Sequence, residues 1–318
     1  MNISHKIFTS LASLINNNYI YIDLPYHTNI GDILIWKGTE CFLNYLPYKC
    51  LYKTSLENYF KPAIEKYITI LIHGGGNLGD IWRRHTDFAL KIIKEFPENK
   101  IVILPQTIYY NNYEVLKKDA FLMGQHKKLT ICARDKKSYK LLDKYFHHNN
   151  ILLLPDMAFC IHPGLLNKFK LPEQDKDLFI KRKDKEYLNY DFSRFLSPKR
   201  LVEERDWPGM KNELFVACSF NKMKRISAGL INRRIMPKLV NKIVDFYAQR
   251  VFFPETIKVG VKFISEYKHI YTTRLHGAIL STLLNKNVTF FDNSYGKNKA
   301  FYETWLKEYD NINFINKD

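Results

Sequence analysis

Short apolar runs alternate with amphipathic stretches through the first half of the chain. The runs "NYIYIDL" (18–24), "ITILIH" (68–73), "KIVILP" (100–105), "LTICAR" (129–134) and "NILLLP" (150–155) are rich in β-branched residues and bounded by polar or proline positions. That is the pattern of strands buried on both faces. Between them, "DFALKIIKEF" and "KKSYKLLDKYF" place apolar residues at three- and four-residue steps, the helical period. Strand alternating with helix predicts a doubly wound α/β domain with a parallel sheet. A proline-containing stretch, "HPGLLNKFKLPEQDK" (162–176), breaks the rhythm near residue 168. Beyond it "DLFIKRKD" predicts a strand and a long helical region follows. Then "HIYTT", "LHGAILSTLL" and "NVTFFD" predict strand, helix and strand. The expected organisation is two α/β domains, 1–168 and a smaller 169–318, with the last residues as candidates for packing back on the first.

In open α/β sheets ligands bind beyond the C-terminal ends of the strands. The predicted strand ends carry Asn29, Gly31 and Asp32; His73, Gly75, Gly76, Asn77 and Asp80; Gln106; Arg134; and Asp156. In the second half they carry Arg182 and Asp184, then Arg274, His276 and Gly277, then Asp292, Asn293 and Lys297. One such residue is most often a helix N-cap, but every predicted strand end offers at least one. Gly74, Gly76 and Gly79 also spell G-x-G-x-x-G, the spacing of a dinucleotide-binding turn. That reading needs an acid about 20 residues on, closing the next strand, to hold a ribose. The next strand instead ends "ILPQT", and the glycines follow the second strand and not the first, so NAD is excluded. A glycine turn opening a helix would still offer N–H groups to an anion. His73 is expected to be structural.

Charge narrows the partners. The 318 residues include 49 Lys and Arg against 32 Asp and Glu, a net charge of +17 that favours anionic partners. No zinc-finger spacing, RNP-type aromatic pattern or basic zipper is present, so nucleic acid is not expected. The five cysteines are dispersed without C-x-x-C, and no His, Asp or Glu cluster has metal spacing, so no metal is expected. With no apolar leader and no long apolar run, a cytoplasmic location is expected. From Leu214 to Val244 there are seven basic residues and no acid, while Ile231, Ile235, Leu239 and Ile243 recur at four-residue steps. An apolar stripe beside a cationic face suggests peripheral attachment to an anionic membrane surface, although Pro237 would interrupt a continuous helix.

The ordered series "NIGDILIWKG", "HGGGNLGD", "LPQTI", "ARD", "LLPDMAF", "IKRKDKE", "RDWP" and "TTRLHGAILSTLLNKNVTFFDNSYGKNKAFYETW" resembles the polysaccharide pyruvyl transferase family over residues 29 to 305. The resemblance implies two Rossmann-like domains in a GT-B-like arrangement. "NIGD" and "RLHG" fall in different halves, so the site would be an interdomain cleft. It also implies transfer of pyruvate from phosphoenolpyruvate to sugar hydroxyls as a ketal, in bacterial exopolysaccharide or capsule biosynthesis. No cofactor is implied beyond that donor substrate, and the acceptor would be a sugar or a lipid-linked oligosaccharide.

The donor carries a carboxylate and a phosphate, for which Arg134, Arg182, Arg274 and Lys297 are the candidate cations. Ketal formation needs an acid and a base. His276 is assigned as the acid, or as the group that binds phosphate and protonates it on departure. Asp32 is favoured as the base, with Asp80 or Asp156 next. Asn77 and Gln106 would hydrogen-bond sugar hydroxyls, and Asn29, Gly31, Gly75, Gly76, Gly277, Asp292 and Asn293 complete the candidate substrate-binding set. The competing readings are a GT-B glycosyltransferase using a nucleotide sugar and a non-catalytic carbohydrate-binding relative. Against the former, "DNSYGKN" offers Asp292 but no glycine-rich pyrophosphate turn.

Overall fold

The computed structural model describes residues 3–184, 186–187, 189–208 and 215–316. Twelve strands are described: β1 (Tyr19–Ile22), β2 (Cys50–Thr54), β3 (Thr69–Ile72), β4 (Gly75–Gly79), β5 (Ile101–Tyr109), β6 (Leu129–Ala133), β7 (Asn150–Leu153), β8 (Lys176–Ile180), β9 (Leu201–Arg205), β10 (His269–Thr272), β11 (Asn287–Phe291) and β12 (Ile312–Ile315). They form two sheets, and every described strand pairing is parallel. The first runs β2-β1-β3-β5-β6-β7 with β4 also on β5, and the second runs β12-β11-β10-β8-β9.

The physical reason is the one the apolar runs suggest. β1, β3 and β6 are buried at every position, as a strand covered by helices on both faces must be. The four strands that the runs do not mark are β2, β4, β9 and β12. β2 and β9 are sheet edges with partly exposed, charged sequences, "CLYKT" and "LVEER". β12 is likewise an edge.

β4 corrects the expectation of a glycine turn opening a helix. After β3 the chain kinks and continues alongside the far half of β5, pairing Gly75 with Gln106 and Gly79 with Tyr109. Gly75 and Gly79 sit at φ +133° and +138°, and a β-carbon on Gly79 would come within 1.8 Å of the Tyr109 carbonyl oxygen. These glycines allow two backbones to touch. The next helix begins only at Arg83, so they do not form a phosphate seat at its N-terminus.

The long helical region is interrupted at Pro237 as expected, but it packs elsewhere than expected. It is two helices, Phe215–Asn232 and Pro237–Tyr247, broken where Met236 turns left-handed (φ 41°) ahead of Pro237. Leu214 lies outside the described residues. The pair packs on the open edge of the first sheet, not into the second. Tyr26 donates to Asp245, Thr54 to Asn241 and Asn58 to Ser227, while Lys224 donates to the Tyr26 carbonyl. Among the described residues no helix is long and apolar enough to cross a membrane.

Candidate functional site

The C-terminal strand ends of both sheets face one pocket of about 330 Å³. Its first-sheet wall carries His27, Asn29, Asp32, Gly76, Asn77, Trp82, His85 and Arg134. Its second-sheet wall carries Arg182, Asp184, Glu186, Trp207, Arg274, His276 and Lys297.

Local sequence places these groups. Asn29 caps the helix Ile30–Leu43 by accepting from the Gly31 N–H, which sets Asp32 in the first turn at the positive end of the helix dipole. Arg274 immediately precedes the helix Leu275–Leu283, so His276 lies in its first turn. Gly31 is small because the His276 ring packs on it: a β-carbon there would lie 2.4 Å from Nδ1. Glycine at 76 likewise leaves room for two cations, since a β-carbon would sit 3.1 Å from Arg134 Nη2 and 3.5 Å from Lys297 Nζ.

All four predicted cations line the pocket, and each is held by a carboxylate. Arg134 is 1% exposed and pairs with Asp156 at 2.7 Å, not with its neighbour Asp135, which caps the following helix. Arg182 grips Asp184 through two nitrogens at 2.8 and 2.9 Å and Glu186 at 2.6 Å, so it is no solvated charge run. Arg274 forks onto Asp206 and reaches Asp184 at 3.3 Å. Lys297 donates to Glu186 at 2.9 Å.

Burial by itself would raise the Glu186 carboxyl. The charges of Lys297 and Arg182 outweigh that and hold it at about 2, and Arg182 does the same for Asp184. Burial pulls the Lys297 ammonium down against the opposing pull of Glu186. Asp156, fully buried, is kept ionised by His276 and Arg134 despite its burial, and its carboxylate lies 3.4 Å from His276 Nε2.

Other candidates stand back from the pocket. Asp80 accepts from the Asn111 and Asn112 N–H groups at 2.7 Å each and so anchors a loop; it is not placed to act as the base. Gln106 is buried between β-strands, donating to the His73 carbonyl and accepting from the Asn77 N–H, so it reaches no sugar. Asn293 caps Lys297 and donates to Glu186; Asp292 accepts from the Asn293 and Lys299 N–H groups. Both shape the loop that presents Lys297. Gly75 and Gly277 are packing positions, the latter with Thr272 Oγ1 2.5 Å from where a β-carbon would lie. His73 is buried against the Tyr21 hydroxyl, and burial depresses its imidazole to about 4.

Asp23, His27, His85, Glu186, Asp206, Trp82 and Trp207 stand at or beside the site without belonging to the set expected from the sequence. His27 Nε2 is 3.7 Å from Asp32, and His85 Nδ1 is 3.0 Å from both oxygens of Asp23. A late segment of the chain also reaches the first sheet. The Trp305 indole N–H donates to the Arg134 carbonyl at 2.7 Å, Thr304 accepts from the Lys136 N–H, and Lys137 donates to the Tyr295 carbonyl.

Comparison with known proteins finds that the polysaccharide pyruvyl transferase family model matches residues 29–295. EpsO of Bacillus subtilis (strain 168), a protein named for pyruvyl transfer, is 32% identical over 289 residues, covering 91% of this chain and 85% of its own. Pyruvyl transferase 1 of Schizosaccharomyces pombe is 25% identical over 296 residues, 90% of this chain and 69% of its own. A crystal structure of an uncharacterized protein of Klebsiella pneumoniae subsp. pneumoniae NTUH-K2044 superposes over the full length of both chains with a TM-score of 0.65 at 24% identity, a likeness of fold.

Proposed function

The chain belongs to the polysaccharide pyruvyl transferase family, and from that premise we propose that it moves a pyruvyl group from phosphoenolpyruvate onto two hydroxyls of one sugar as a cyclic ketal. The observation that carries the donor assignment is the set of cations around one pocket, Arg134, Arg182 and Lys297 buried and Arg274 half-buried, beside His276. Four cations stand against Asp156, Asp184, Glu186 and Asp206, so this set of charges is nearly neutral. It therefore selects by direction of donors more than by net charge. Arg134 Nη2 and Arg274 Nη1 are not engaged by these acids and are left to fork onto a carboxylate or phosphate. Trp82 and Trp207 offer apolar faces for a sugar ring at the two sides of the pocket. The site then works as a cleft between two Rossmann-like halves of a GT-B-like molecule.

The two acceptor hydroxyls give up two protons. One ends in the new methyl group and the other on inorganic phosphate, so the protein needs only to relay them. His276, held by the ionised Asp156, supplies a proton to the methylene carbon or to the departing phosphate. The neighbouring carbon gains oxocarbenium character and is attacked first by one hydroxyl and then by the other, with loss of phosphate. The base belongs to the first-sheet wall, where Asp32 stands.

Saturation with phosphoenolpyruvate at about 100 times its dissociation constant is expected to stabilise the folded protein by about 2.7 kcal/mol, read by thermal unfolding. A shift with a uridine or cytidine sugar nucleotide and none with phosphoenolpyruvate would replace this function by glycosyl transfer.

The broken helical pair fits a peripheral place on the inner membrane leaflet, where a lipid-linked acceptor in exopolysaccharide or capsule biosynthesis would be met. Of the expected stripe Ile231 is buried, but Ile235, Leu239 and Ile243, with Ile226, Met236 and Phe246, are each between 47% and 65% exposed, among Lys222, Arg225, Arg233, Arg234, Lys238 and Lys242. Each basic residue near anionic headgroups contributes about 1 kcal/mol. Sedimentation with anionic vesicles is expected to carry the protein down, less so in high salt and less with Arg233→Glu and Arg234→Glu together. Equal partition to neutral vesicles would remove the membrane from the proposal.

A further inference from the structure

One histidine of the pocket, with its buried carboxylate partner, has no part in the scheme above. His85 lies in the first helical turn of Arg83–Glu95 and lines the pocket on the first-sheet wall. Its Nδ1 faces both carboxylate oxygens of Asp23 at 3.0 Å. Asp23 follows β1, is 6% exposed, and holds its backbone at φ 62° in the left-handed region, a conformation that non-glycine residues adopt at a cost. Strain of that kind persists where the surrounding structure fixes it, and it clusters at functional sites.

Two arrangements compete for the role of base. Asp32 offers a carboxylate beside His27, at the longer distance of 3.7 Å. In the second arrangement an ionised Asp23 accepts the Nδ1 hydrogen, which fixes the tautomer and leaves the Nε2 lone pair free. The His85 side chain is 29% exposed, open to a substrate but oriented by a buried partner. An imidazole ordered by a carboxylate is the general way a weak base is held in register with a hydroxyl. From this juxtaposition of a strained, buried aspartate and a pocket-lining histidine, we infer that His85 is the general base that accepts the sugar hydroxyl proton, with Asp23 as its positioning residue. This rests on the pyruvyl transfer proposed above.

The step is balanced. The acceptor O–H bond breaks as its proton passes to His85 Nε2, and the oxygen forms a bond to the ketal carbon, whose methylene neighbour has received a proton on the opposite wall. His85 then returns its proton to the departing phosphate, takes up the second hydroxyl proton when the ring closes and releases it to solvent, from which His276 regains the proton it gave to the methylene carbon. Burial by itself would lower the imidazole of His85, but the hydrogen bond and charge of Asp23, reinforced by Asp32 and Glu57, hold it above its ordinary value. The groups facing it are Asp23 after β1, Asp32 in the helix Ile30–Leu43, Glu57, and His27, the one whose charge opposes its protonation.

The test uses full-length protein, phosphoenolpyruvate, and unmodified repeat units extracted from cells lacking the gene, with phosphate release as the readout. His85→Ala is expected to lower turnover 10²–10⁴-fold while the thermal shift with phosphoenolpyruvate stays intact. Asp23→Asn keeps the shape and tolerates the left-handed backbone. It is expected to lower turnover less and to move the acid limb of the rate–pH profile to lower pH, because the charge that favours protonated His85 is gone. Turnover within a few-fold of the parent in His85→Ala overturns the assignment, as does loss of the donor shift in that variant. An unmoved acid limb in Asp23→Asn removes Asp23 from it. If the parent protein itself releases no phosphate, the transferase reading fails first, and the base assignment falls with it.

Discussion

The two walls of the pocket are built on opposite plans. On the second-sheet wall, Arg182, Arg274 and Lys297 are tied to Asp184, Glu186 and Asp206 in a connected run of ion pairs, so each cation arrives already positioned. On the first-sheet wall, apart from the buried Arg134–Asp156 pair, the titratable groups form isolated histidine–carboxylate pairs, His27 with Asp32 and His85 with Asp23. A continuous ion-pair network resists rearrangement and resists titration near neutral pH, which suits holding an anion in one pose. Isolated imidazoles can change protonation near neutral pH, which suits moving protons. The contrast teaches that the overall charge of +17 says little about the site, whose cations are almost balanced by acids; the excess is spread over the surface.

His276 is the exception that tests this division, an imidazole set on the network side against Asp156. His276→Ala is expected to reduce turnover 10²–10⁴-fold with the phosphoenolpyruvate thermal shift largely kept, measured by phosphate release and melting. Loss of binding with little loss of turnover per bound donor would make both walls anion-holding. A smaller effect is expected from Gly31→Ala, in which the new methyl must displace the His276 ring from its place beside Asp156. Misplacement on the ångström scale costs on the order of 10²-fold in turnover, again without loss of donor stabilisation. If turnover is unaffected, the ring position is not set by the first wall.

The smallest effect concerns stability alone. Glu186 is held at about 2, below its ordinary value of 4.5, so the unfolded chain takes up a proton there that the folded one does not. Its contribution is complete above pH 4.5 and is lost as pH falls toward 2. The parent protein should lose stability over that interval more steeply than Glu186→Gln, as followed by urea unfolding at several pH values. Equal slopes would mean that the network does not hold Glu186 ionised.

Much of the scaffold is visible in the chain itself, because a strand buried on both faces must be an apolar run. β1, β3, β5, β6, β7, β8, β10 and β11 all coincide with such runs. The pattern fails at sheet edges, where β2 and β9 mix charge with apolar residues, and at β4, a glycine-rich segment whose pairing depends on close approach to β5. Polar residues after strands locate the pocket in outline, since Asn29, Asp32, Gly76, Asn77, Arg134, Arg182, Arg274, His276 and Lys297 all line it. The acids that neutralise it were hidden in plain view. Asp184 is marked only as a strand-end residue, Glu186 looks like part of a solvated charge run in "KRKDKE", and Asp206 meets Arg274 only across 68 residues of chain. His85 begins a helix and ends no strand, so a survey of strand ends passes over it, although Asp23 stands directly after β1. Nor does helical periodicity reveal that the helices Phe215–Asn232 and Pro237–Tyr247 would settle on the first sheet; their partners there are dispersed polar groups such as Thr54 and Asn58.

The Trp305 contact with the Arg134 carbonyl has a consequence for how the molecule comes into being. Ribosomes add roughly 5–20 residues per second, and the first sheet can pair as its strands emerge. Arg134 is made early, yet the segment that latches over it appears only 171 residues later. Until then the first wall stands without His276, Lys297 or Trp305. Contacts separated by so much chain are slow to close. A chain that stops short of His276 therefore presents half a pocket, and the wall around Arg134 is complete only once Trp305 has been made.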